Sequence, residues 1–354
     1  MVTVKNKVRN LFCIALSLIC VFLCIGYAKP SDSLTVSGSV DVLTQEGVFI
    51  TDVAVPVGED VTVHAFVSTV LTSTVNLGTD GSSTVTFSVN FYNNTNSTYI
   101  YDGVTYESDA YSNKDIVFSV ADKKNFITPH GTLKLDITFS YDGSTASSIT
   151  DLYSVLKFNF TDPHSKAEDP DGNTINVSVV DGNSADNIGT LADGDSKLNY
   201  DDTNYRWTNW VSNSAGVGIP ATLNLIWDNE KTFDSVTLYH FVDTGGSFLN
   251  DWKGASDFPE SVQIYYYDEA VGDYVELTPS SETKNYSGAS RSVRNKGAYT
   301  MTIDGMRVTL DSSYNGTAPA TTYTFANEIT TNAVKIVLTP KDNHYVGLTE
   351  IEFK

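Results

Sequence analysis

Alternation of apolar and polar residues with a period of two runs through this sequence and restricts it to a sheet-based fold. In residues 85–91 and again in residues 133–139, Val, Leu, Ile or Phe occupies every second position. Side chains at this spacing project from one face of a strand, so each strand buries one face and exposes the other to solvent. No window carries a convincing apolar stripe at helical spacing over the length of a helix.

Seven Asp-Gly pairs divide the alternating runs. They begin at residues 80, 102, 142, 171, 181, 193 and 304. This dipeptide readily adopts the positive φ angles of tight turns between antiparallel strands. Asp304-Gly305, between residues 301–303 and 306–308, predicts the clearest two-residue hairpin. The pattern therefore predicts an all-β chain.

The N-terminus has the pattern of a secretion signal. Lys5, Lys7 and Arg9 precede a nearly continuous apolar run over residues 11–25, and small residues up to Ala28 predict cleavage after that position. The signal peptide is thus residues 1–28. A retained membrane anchor and lipoprotein processing at Cys20 or Cys24 are the alternatives. After cleavage we expect no membrane span, since no second apolar run follows.

All three cysteines, Cys13, Cys20 and Cys24, lie in this signal, so the mature chain has no disulfide. It has to rely on its hydrophobic core, with a metal ion as a further source of stability. The net charge of −21, less three basic residues in the signal, becomes about −24. So acidic a surface repels phosphate backbones and anionic bilayers, which excludes nucleic acid as an expected partner.

The mature length of about 326 residues suits two sandwich domains. The polar segment 163–172 contains Pro163 and Pro170 and lacks apolar alternation, so we predict a linker there. The N-terminal β-sandwich domain is then residues 29–162, and the second domain is residues 173–354. The start of the first domain is weakly similar, over about 55 residues, to secreted Gram-positive surface and matrix proteins, which implies an extracellular or cell-surface location.

The second domain resembles the discoidin family, the galactose-binding-like jelly rolls also called coagulation-factor V/VIII C-type domains. The resemblance rests on an ordered series of segments at residues 206–210, 223–227, 236–241, 259–266 and 346–353. It begins with Arg206-Trp207-Thr208-Asn209-Trp210 and ends with a Leu-Thr-Glu-Ile-Glu-Phe strand. The resemblance implies a jelly roll that binds and does not catalyse, with glycans held on loops at one end of the sandwich.

The same resemblance implies that the loop of residues 244–254, which follows the strand ending at Phe241, lies at the edge where related domains contact their ligands. This loop is too polar and glycine-rich for a core, so Trp252 is the expected stacking residue for a sugar ring, aided by Phe248. Trp207 and Trp210 match family tryptophans that are partly structural, and a core position is favoured for both, as it is for Trp227. The full set of predicted ligand-binding residues is Trp252, Phe248, Asp243, Asn250 and Arg206, followed by Trp210 and Tyr345.

A structural calcium ion is also implied by the resemblance, because related carbohydrate modules place an Asp-Gly-Asx turn opposite a glutamate of the last strand. Asp193, Asp195 and Glu350 are the corresponding residues here, and hard oxygen ligands suit calcium. The gap from Asp195 to Trp207 is longer than the family pattern, and Asp181-Gly182-Asn183 competes as the turn. Plain Asp-Gly turns are the alternative.

No catalytic constellation stands out. The five histidines are scattered without ligand spacing, and His-x-x-x-His and Gly-x-Ser-x-Gly motifs do not occur. We therefore expect a secreted, non-enzymatic protein that binds glycans or glycoconjugates. A structural matrix protein with surface or matrix partners is the first alternative. A glycoside-processing enzyme with two paired carboxylates is the second.

Overall fold

The computed structural model describes residues 34–36, 47–78, 84–108, 116–121, 124–141, 149–163, 165–169, 172–179, 186–199, 203–210, 218–242, 255–291, 299–311, 313–342 and 344–354. Most of these residues lie in β-strands, as the alternation predicts. Within them, no helix has the length and apolar character needed to cross a membrane. The predicted signal peptide lies outside the described residues.

The N-terminal half forms two five-stranded antiparallel sheets, with strand orders β1-β2-β5-β9-β7 and β3-β4-β10-β6-β8. Inward-facing residues of both sheets form a single core. The strands are β1 (Leu34–Val36), β2 (Val48–Val55), β3 (Val61–Val67), β4 (Val70–Leu77), β5 (Thr84–Asn93), β6 (Tyr99–Ser108), β7 (Ile116–Ala121), β8 (Phe126–Ile127), β9 (Thr132–Tyr141) and β10 (Ile149–Thr161). Two packed sheets of this kind are a β-sandwich.

The C-terminal half contains a nine-stranded sheet, a two-stranded sheet and a three-stranded sheet. Its strands are β11 (Ser165–Glu168), β12 (Thr174–Val179), β13 (Lys197–Asn199), β14 (Trp207–Thr208), β15 (Ala221–His240), β16 (Ser261–Asp268), β17 (Asp273–Leu277), β18 (Ser281–Lys284), β19 (Tyr286–Arg291), β20 (Tyr299–Ile303), β21 (Met306–Leu310), β22 (Asn315–Thr317), β23 (Ala320–Thr339) and β24 (Gly347–Phe353). Two 3-10 helices accompany them, at Ile188–Ala192 and Thr203–Tyr205.

Two twenty-residue strands, β15 and β23, build both layers of this second sandwich. They pair with each other along their length, with register breaks between Ile226 and Lys231 and between Phe233 and Ser235. The first half of β15 pairs with β12, and its second half pairs with β24. Likewise β23 pairs with β18 near its start and with β16 near its end.

Both halves of each long strand contribute to one core, which contains Leu223 and Leu225 as well as Val236 and Leu238. A straight strand of twenty residues would span roughly 65 Å, too far for its two ends to share a core. Each strand therefore bends over the core and passes from one sheet to the other, as strands that switch sheets at bulges do. This is the jelly-roll form of a β-sandwich.

The bends of the long strands contact the N-terminal domain. Phe126 of β8 packs edge-on against Tyr267 at 5.7 Å, within a cluster that also contains Ile226 and Ala333 from the bends. Lys124 lies 3.1 Å from Glu269. The members of the apolar cluster are buried, whereas the Glu269 side chain is 59% exposed, so the two domains share a small apolar interface with an ion pair at its margin.

A buried hydrogen bond adds to this interface. Thr98 of the N-terminal domain, fully buried, donates to Asp228 Oδ1 at 2.8 Å, and the same oxygen accepts from Asn176 Nδ2. Asp228 lies at the bend of β15. Removing the Thr98 hydroxyl would therefore leave this partly buried carboxylate with one fewer donor.

The segment that we expected to be a linker is organised differently. Strand β11 occupies Ser165–Glu168 and pairs with β12, so it is the first strand of the C-terminal sheet. Gly172 N donates to Asp169 O, with Gly172 at a φ of +81°, and this closes a tight hairpin. Asp169 also forms a buried ion pair with Lys231 at 3.1 Å. Part of the expected linker is therefore a strand of the C-terminal sheet, paired with β12.

Other local predictions are confirmed. The alternating residues of β5 and β9 face the core, with Phe87 and Phe139 wholly buried. Asp304 and Gly305 both have positive φ and connect β20 to β21 with Ile303 paired to Met306, which is the predicted hairpin. Such a turn matches the twist of the flanking strands.

The interface predicts that the two domains unfold in a coupled manner. All four tryptophans lie between residues 207 and 252, so tryptophan fluorescence reports on the C-terminal domain alone. We expect Phe126→Ala, which removes a ring buried against Tyr267, to cost about 3–5 kcal/mol and to lower the urea midpoint of the tryptophan signal. Val117→Ala, at an exposed N-terminal position, is the control. An unchanged tryptophan midpoint in Phe126→Ala would show that the domains unfold independently.

Candidate functional site

The end of the jelly roll opposite the domain interface collects the segments that enter and leave β15. Gly218 N, just before β15, donates to His344 O, and Phe241 N, just after it, donates to Gly347 O. Both ends of the bent strand therefore lie against one segment. We call this end the loop edge; it consists of residues 206–210, 218–220, 240–242, 255–261, 339–342 and 344–347.

Most of the predicted ligand-binding loop is outside the described residues. This applies to Asp243, Phe248, Asn250 and Trp252. Both anchor points of the loop are described, however, and both belong to the loop edge. Val242 is buried at the start, and at the other end Ala255 is held by the backbone of Tyr345. A loop with these anchors has to leave and re-enter the jelly roll at the loop edge.

Tyr345 has a different place from the one we expected for a ligand contact. Its side chain is 1% exposed. Its backbone N donates to Ala255 O at 3.0 Å, its O accepts from Asp257 N at 2.9 Å, and it bridges Ser256. The backbone of Tyr345 thus holds residues 255–257 at the end of the loop, and its ring is buried.

Arg206 is engaged by two neighbours. Its guanidinium lies over the ring of Phe241, 4.6 Å from the ring centroid, and its Nε is 3.5 Å from Asp186 Oδ1. The Asp186 side chain is almost wholly buried and also accepts from Thr208 Oγ1. Arg206 therefore fixes the position of the strand before the loop, and about a fifth of its side chain reaches solvent.

The tryptophans of the opening motif separate into two roles. Trp207 is fully buried and pairs with Leu348 of the closing strand, whereas Trp210 is 43% exposed. The expectation of a core position is confirmed for Trp207 and wrong for Trp210. Asn209 explains the difference, because its amide binds Ile219 O and Val346 N and locks the chain so that the next residue lies outside.

Trp210 thereby brings an exposed indole to the loop edge. Ile219, which accepts from the Asn209 amide, is also 46% exposed. An accessible aromatic face beside polar backbone is suited to stacking against the C–H face of a sugar ring. Trp227, as expected, lies in the core at 1% exposure.

The sequence did not predict a polar cluster that lies at the loop edge. The buried carboxylate of Asp257 accepts from the Tyr299 hydroxyl and from Phe258 N, and lies 3.5 Å from Lys341 Nζ. His344 Nε2 is 3.8 Å from the same carboxylate. These residues come from three separate segments, around positions 257, 299 and 341–344, so no spacing in the sequence could have joined them.

The three predicted calcium ligands are only partly brought together. The turn after the first 3-10 helix places Asp193 beside Glu350, and Gly194 N donates to Glu350 Oε2 at 2.7 Å. The Asp195 carboxylate contacts Lys197 instead, accepting from its backbone N at 3.1 Å. No group of three or more His, Cys, Asp or Glu side chains suited to a metal occurs in the described part of the chain. The competing turn at Asp181-Gly182-Asn183 lies outside that part.

The Asp193–Glu350 pair has unusual electrostatics. Burial, and then the neighbouring negative charge of Asp193, raise the pKa of Glu350 to about 9. Burial also raises the pKa of Asp193. At neutral pH the pair therefore shares a proton, which is a cation held between two carboxylates. A divalent cation can replace that proton, so these two side chains fit the chemistry of a hard metal ion.

No family model matches the sequence, and no curated protein matches it. Solved structures with a similar fold include the Streptococcus pneumoniae beta-galactosidase BgaA (16% identity, 51% of this chain and 97% of that chain, TM-score 0.32). A family 32 carbohydrate-binding module of C. perfringens NanJ, solved with galactose, is 14% identical over 50% of this chain and 90% of its own, with a TM-score of 0.27. The family 32 module of Streptococcus pneumoniae EndoD is 13% identical over 54% of this chain and 99% of its own, with a TM-score of 0.28. Identities and TM-scores at this level assign neither a family nor a ligand.

The raised pKa of Glu350 predicts a specific pH dependence of stability. Between pH 4.5 and 9 the folded protein holds a proton that an unfolded glutamate has released, so unfolding releases a proton and a higher pH favours it. In EDTA we expect stability to fall as pH rises through this window, by up to about 1.4 kcal/mol per pH unit. Glu350→Gln, which mimics the protonated acid, should flatten this slope.

Thermal unfolding measured from pH 5 to 9 tests this expectation. Glu328→Gln, at an exposed position on β23, is the matched control and should keep the wild-type slope. Equal slopes in wild type and Glu350→Gln would mean that Glu350 is ionised in the folded protein.

Proposed function

We propose that this chain is a secreted or cell-surface protein that binds carbohydrate without catalysis, through a discoidin-like domain over residues 173–354. The observation that carries the proposal is the exposed Trp210 at a loop edge which lies opposite the domain interface. The apolar run and small residues of the first 28 positions support export.

The discoidin-like assignment is supported by how the motif segments meet. The opening Trp207-Thr208 pairs directly with Gly347-Leu348 of the closing strand, and the segment at 236–240 pairs with β24. Segments that the resemblance places in order along the chain are thus neighbours in one jelly roll. The order of motifs in the sequence and the pairing of strands in space are separate observations, and they agree.

Binding at the loop edge would combine stacking with hydrogen bonds. Trp252 and Phe248 are the stacking residues that we propose for a sugar ring, and Trp210 offers a further indole at the loop edge. Asp243 and Asn250 supply acceptors and donors for the hydroxyls. A shallow site of this type holds a single sugar weakly, so useful affinity comes from several copies acting together.

Calcium is the cofactor that we propose, held by Asp193 and Glu350. Its chemistry would be structural: a bound cation would take the place of the shared proton and would join the turn at residues 193–195 to β24. Because Glu350 gives up its proton to bind, calcium affinity should rise with pH and binding should release about one proton near neutrality.

The alternatives differ in what they require of the loop edge. A matrix role, in which the second domain only packs, would bury the loops against the first domain. The described contacts between the domains, however, lie at the bends of β15 and β23, away from that edge. A glycoside-processing enzyme would need two carboxylates about 5–10 Å apart in a cleft and turnover of a glycoside substrate.

Replacement of the loop-edge tryptophans tests carbohydrate binding. We expect Trp252→Ala to abolish the binding of the full chain to a neutral glycan on an array, and Trp210→Ala to weaken it about tenfold, because each removes a stacking surface. Melting temperatures should change little, since Trp210 is 43% exposed. Tyr153→Ala, an exposed aromatic of the first domain, is the control.

Three outcomes would contradict the proposal that the loop edge binds carbohydrate. A loss of several kcal/mol of stability in Trp252→Ala would identify it as a core residue. Retained binding by both folded variants would place the site elsewhere. Failure of the multivalent, calcium-loaded wild type to bind any glycan would favour the matrix role.

Calcium addition tests the cation site. After EDTA treatment we expect calcium to raise the melting temperature more than magnesium does, equivalent to ~2.7 kcal/mol at a hundredfold excess over the dissociation constant. Asp193→Asn and Glu350→Gln should remove the response, whereas Asp195→Asn should leave it largely intact because its carboxylate contacts Lys197. An equal melting temperature with and without calcium would rule the site out.

A further inference from the structure

A pocket of about 300 Å³ lies on the flank of the jelly roll, where β18 approaches the start of β16. We call it the flank pocket. Of the predicted sugar and calcium ligands that the structure describes, none lines it. Its size is at the lower end of the roughly 300–1,000 Å³ range of small-molecule sites.

The floor of the flank pocket contains a buried histidine. His240 is 1% exposed, and its Nε2 lies 3.0 Å from Thr321 Oγ1. Its Nδ1 has no hydrogen-bond partner among the described residues. Burial, and then the charge of Lys284, lower the pKa of His240 to about 3, so the imidazole is neutral at any physiological pH.

Aromatic rings form one wall beside this histidine. Phe258 and Tyr286 stack nearly in parallel, with ring centroids 4.6 Å apart, and His240 meets Phe258 edge-on at 5.3 Å. Tyr286 also hydrogen-bonds Thr321, which fixes both the wall and the floor. The wall is therefore rigid and apolar, with hydroxyl groups at its base.

Two opposite charges stand at the rim. Glu282 and Lys284 alternate on β18, so both side chains project from the same face of the strand, and both line the pocket. Lys284 Nζ lies 2.9 Å from Glu282 Oε1, and each side chain is about half exposed. Their charges cancel, while the carboxylate still accepts and the ammonium still donates hydrogen bonds.

We propose that the flank pocket is a second binding site, which takes a neutral, hydroxyl-rich molecule of about monosaccharide size. The imidazole floor is neutral and the charges of Lys284 and Glu282 cancel, which leaves the exposed carboxylate of Glu260 as the remaining charge among the described lining residues. An apolar wall next to a carboxylate and an ammonium group suits a ring that carries C–H faces and hydroxyls together. The flank pocket takes His240 and residues 258–261 from the loop edge, but Trp210 does not line it, so sugar binding here is tested separately from the function proposed above.

The test uses the intact chain with both Trp210→Ala and Trp252→Ala, which removes the two indoles proposed to stack on sugars at the loop edge. Methyl β-galactoside, methyl α-glucoside and N-acetylglucosamine serve as neutral probes, benzamidine as a cation and benzoate as an anion. Saturation-transfer NMR should detect at least one neutral sugar and neither ion. Adding Glu282→Gln and Lys284→Met should weaken that signal about tenfold or more, because two hydrogen-bonding charges are lost.

Thr283→Val is the matched control, since Thr283 lies between the two rim residues and faces away from the pocket. It should leave sugar binding unchanged, and circular dichroism should show the same melting temperature for all variants. Unaltered sugar binding in a folded Glu282→Gln/Lys284→Met protein would overturn the proposal. So would absence of every neutral sugar once the two indoles are removed, or binding of benzamidine alone.

Discussion

The bends of β15 and β23 are the constraint on which the rest of the C-terminal domain depends. Each strand has to leave one sheet, cross the core and join the other, and it does so where the register between the two strands breaks. The bends bring the beginning and end of each strand to the same end of the sandwich. They thereby create a loop edge at one end and a compact, loop-poor surface at the other.

The two ends of the domain therefore differ in what they contact. The bend end is apolar enough to pack against Phe126 and Ile100 of the first domain, and it closes around the Thr98–Asp228 hydrogen bond. The loop edge holds an exposed indole, a buried carboxylate cluster and the anchors of the long loop after Val242. The first domain is thus attached where it leaves the loop edge accessible.

The sequence was sufficient for the strands and for the hairpin at Asp304-Gly305, because these depend on periodicity and on local turn geometry. It did not reveal β11, since the polar residues around this short strand have the composition of a linker. Trp210 could not be distinguished from Trp207 because its exposure is decided by Asn209 binding to Val346, which is 137 residues away. The Asp257 cluster and the flank pocket likewise combine residues from distant segments, and only the fold brings them together.

The pairing of Trp207 with Leu348, and of Gly194 with Glu350, has a consequence for the order of folding. These contacts join positions 141 and 156 residues apart, and β24 inserts beside β15 near the centre of the sheet. The domain cannot complete its core until its last strand has been synthesised. Folding of such a topology is dominated by distant contacts and is slow. During synthesis the core face that β24 covers therefore stays open until residues 347–353 have been made.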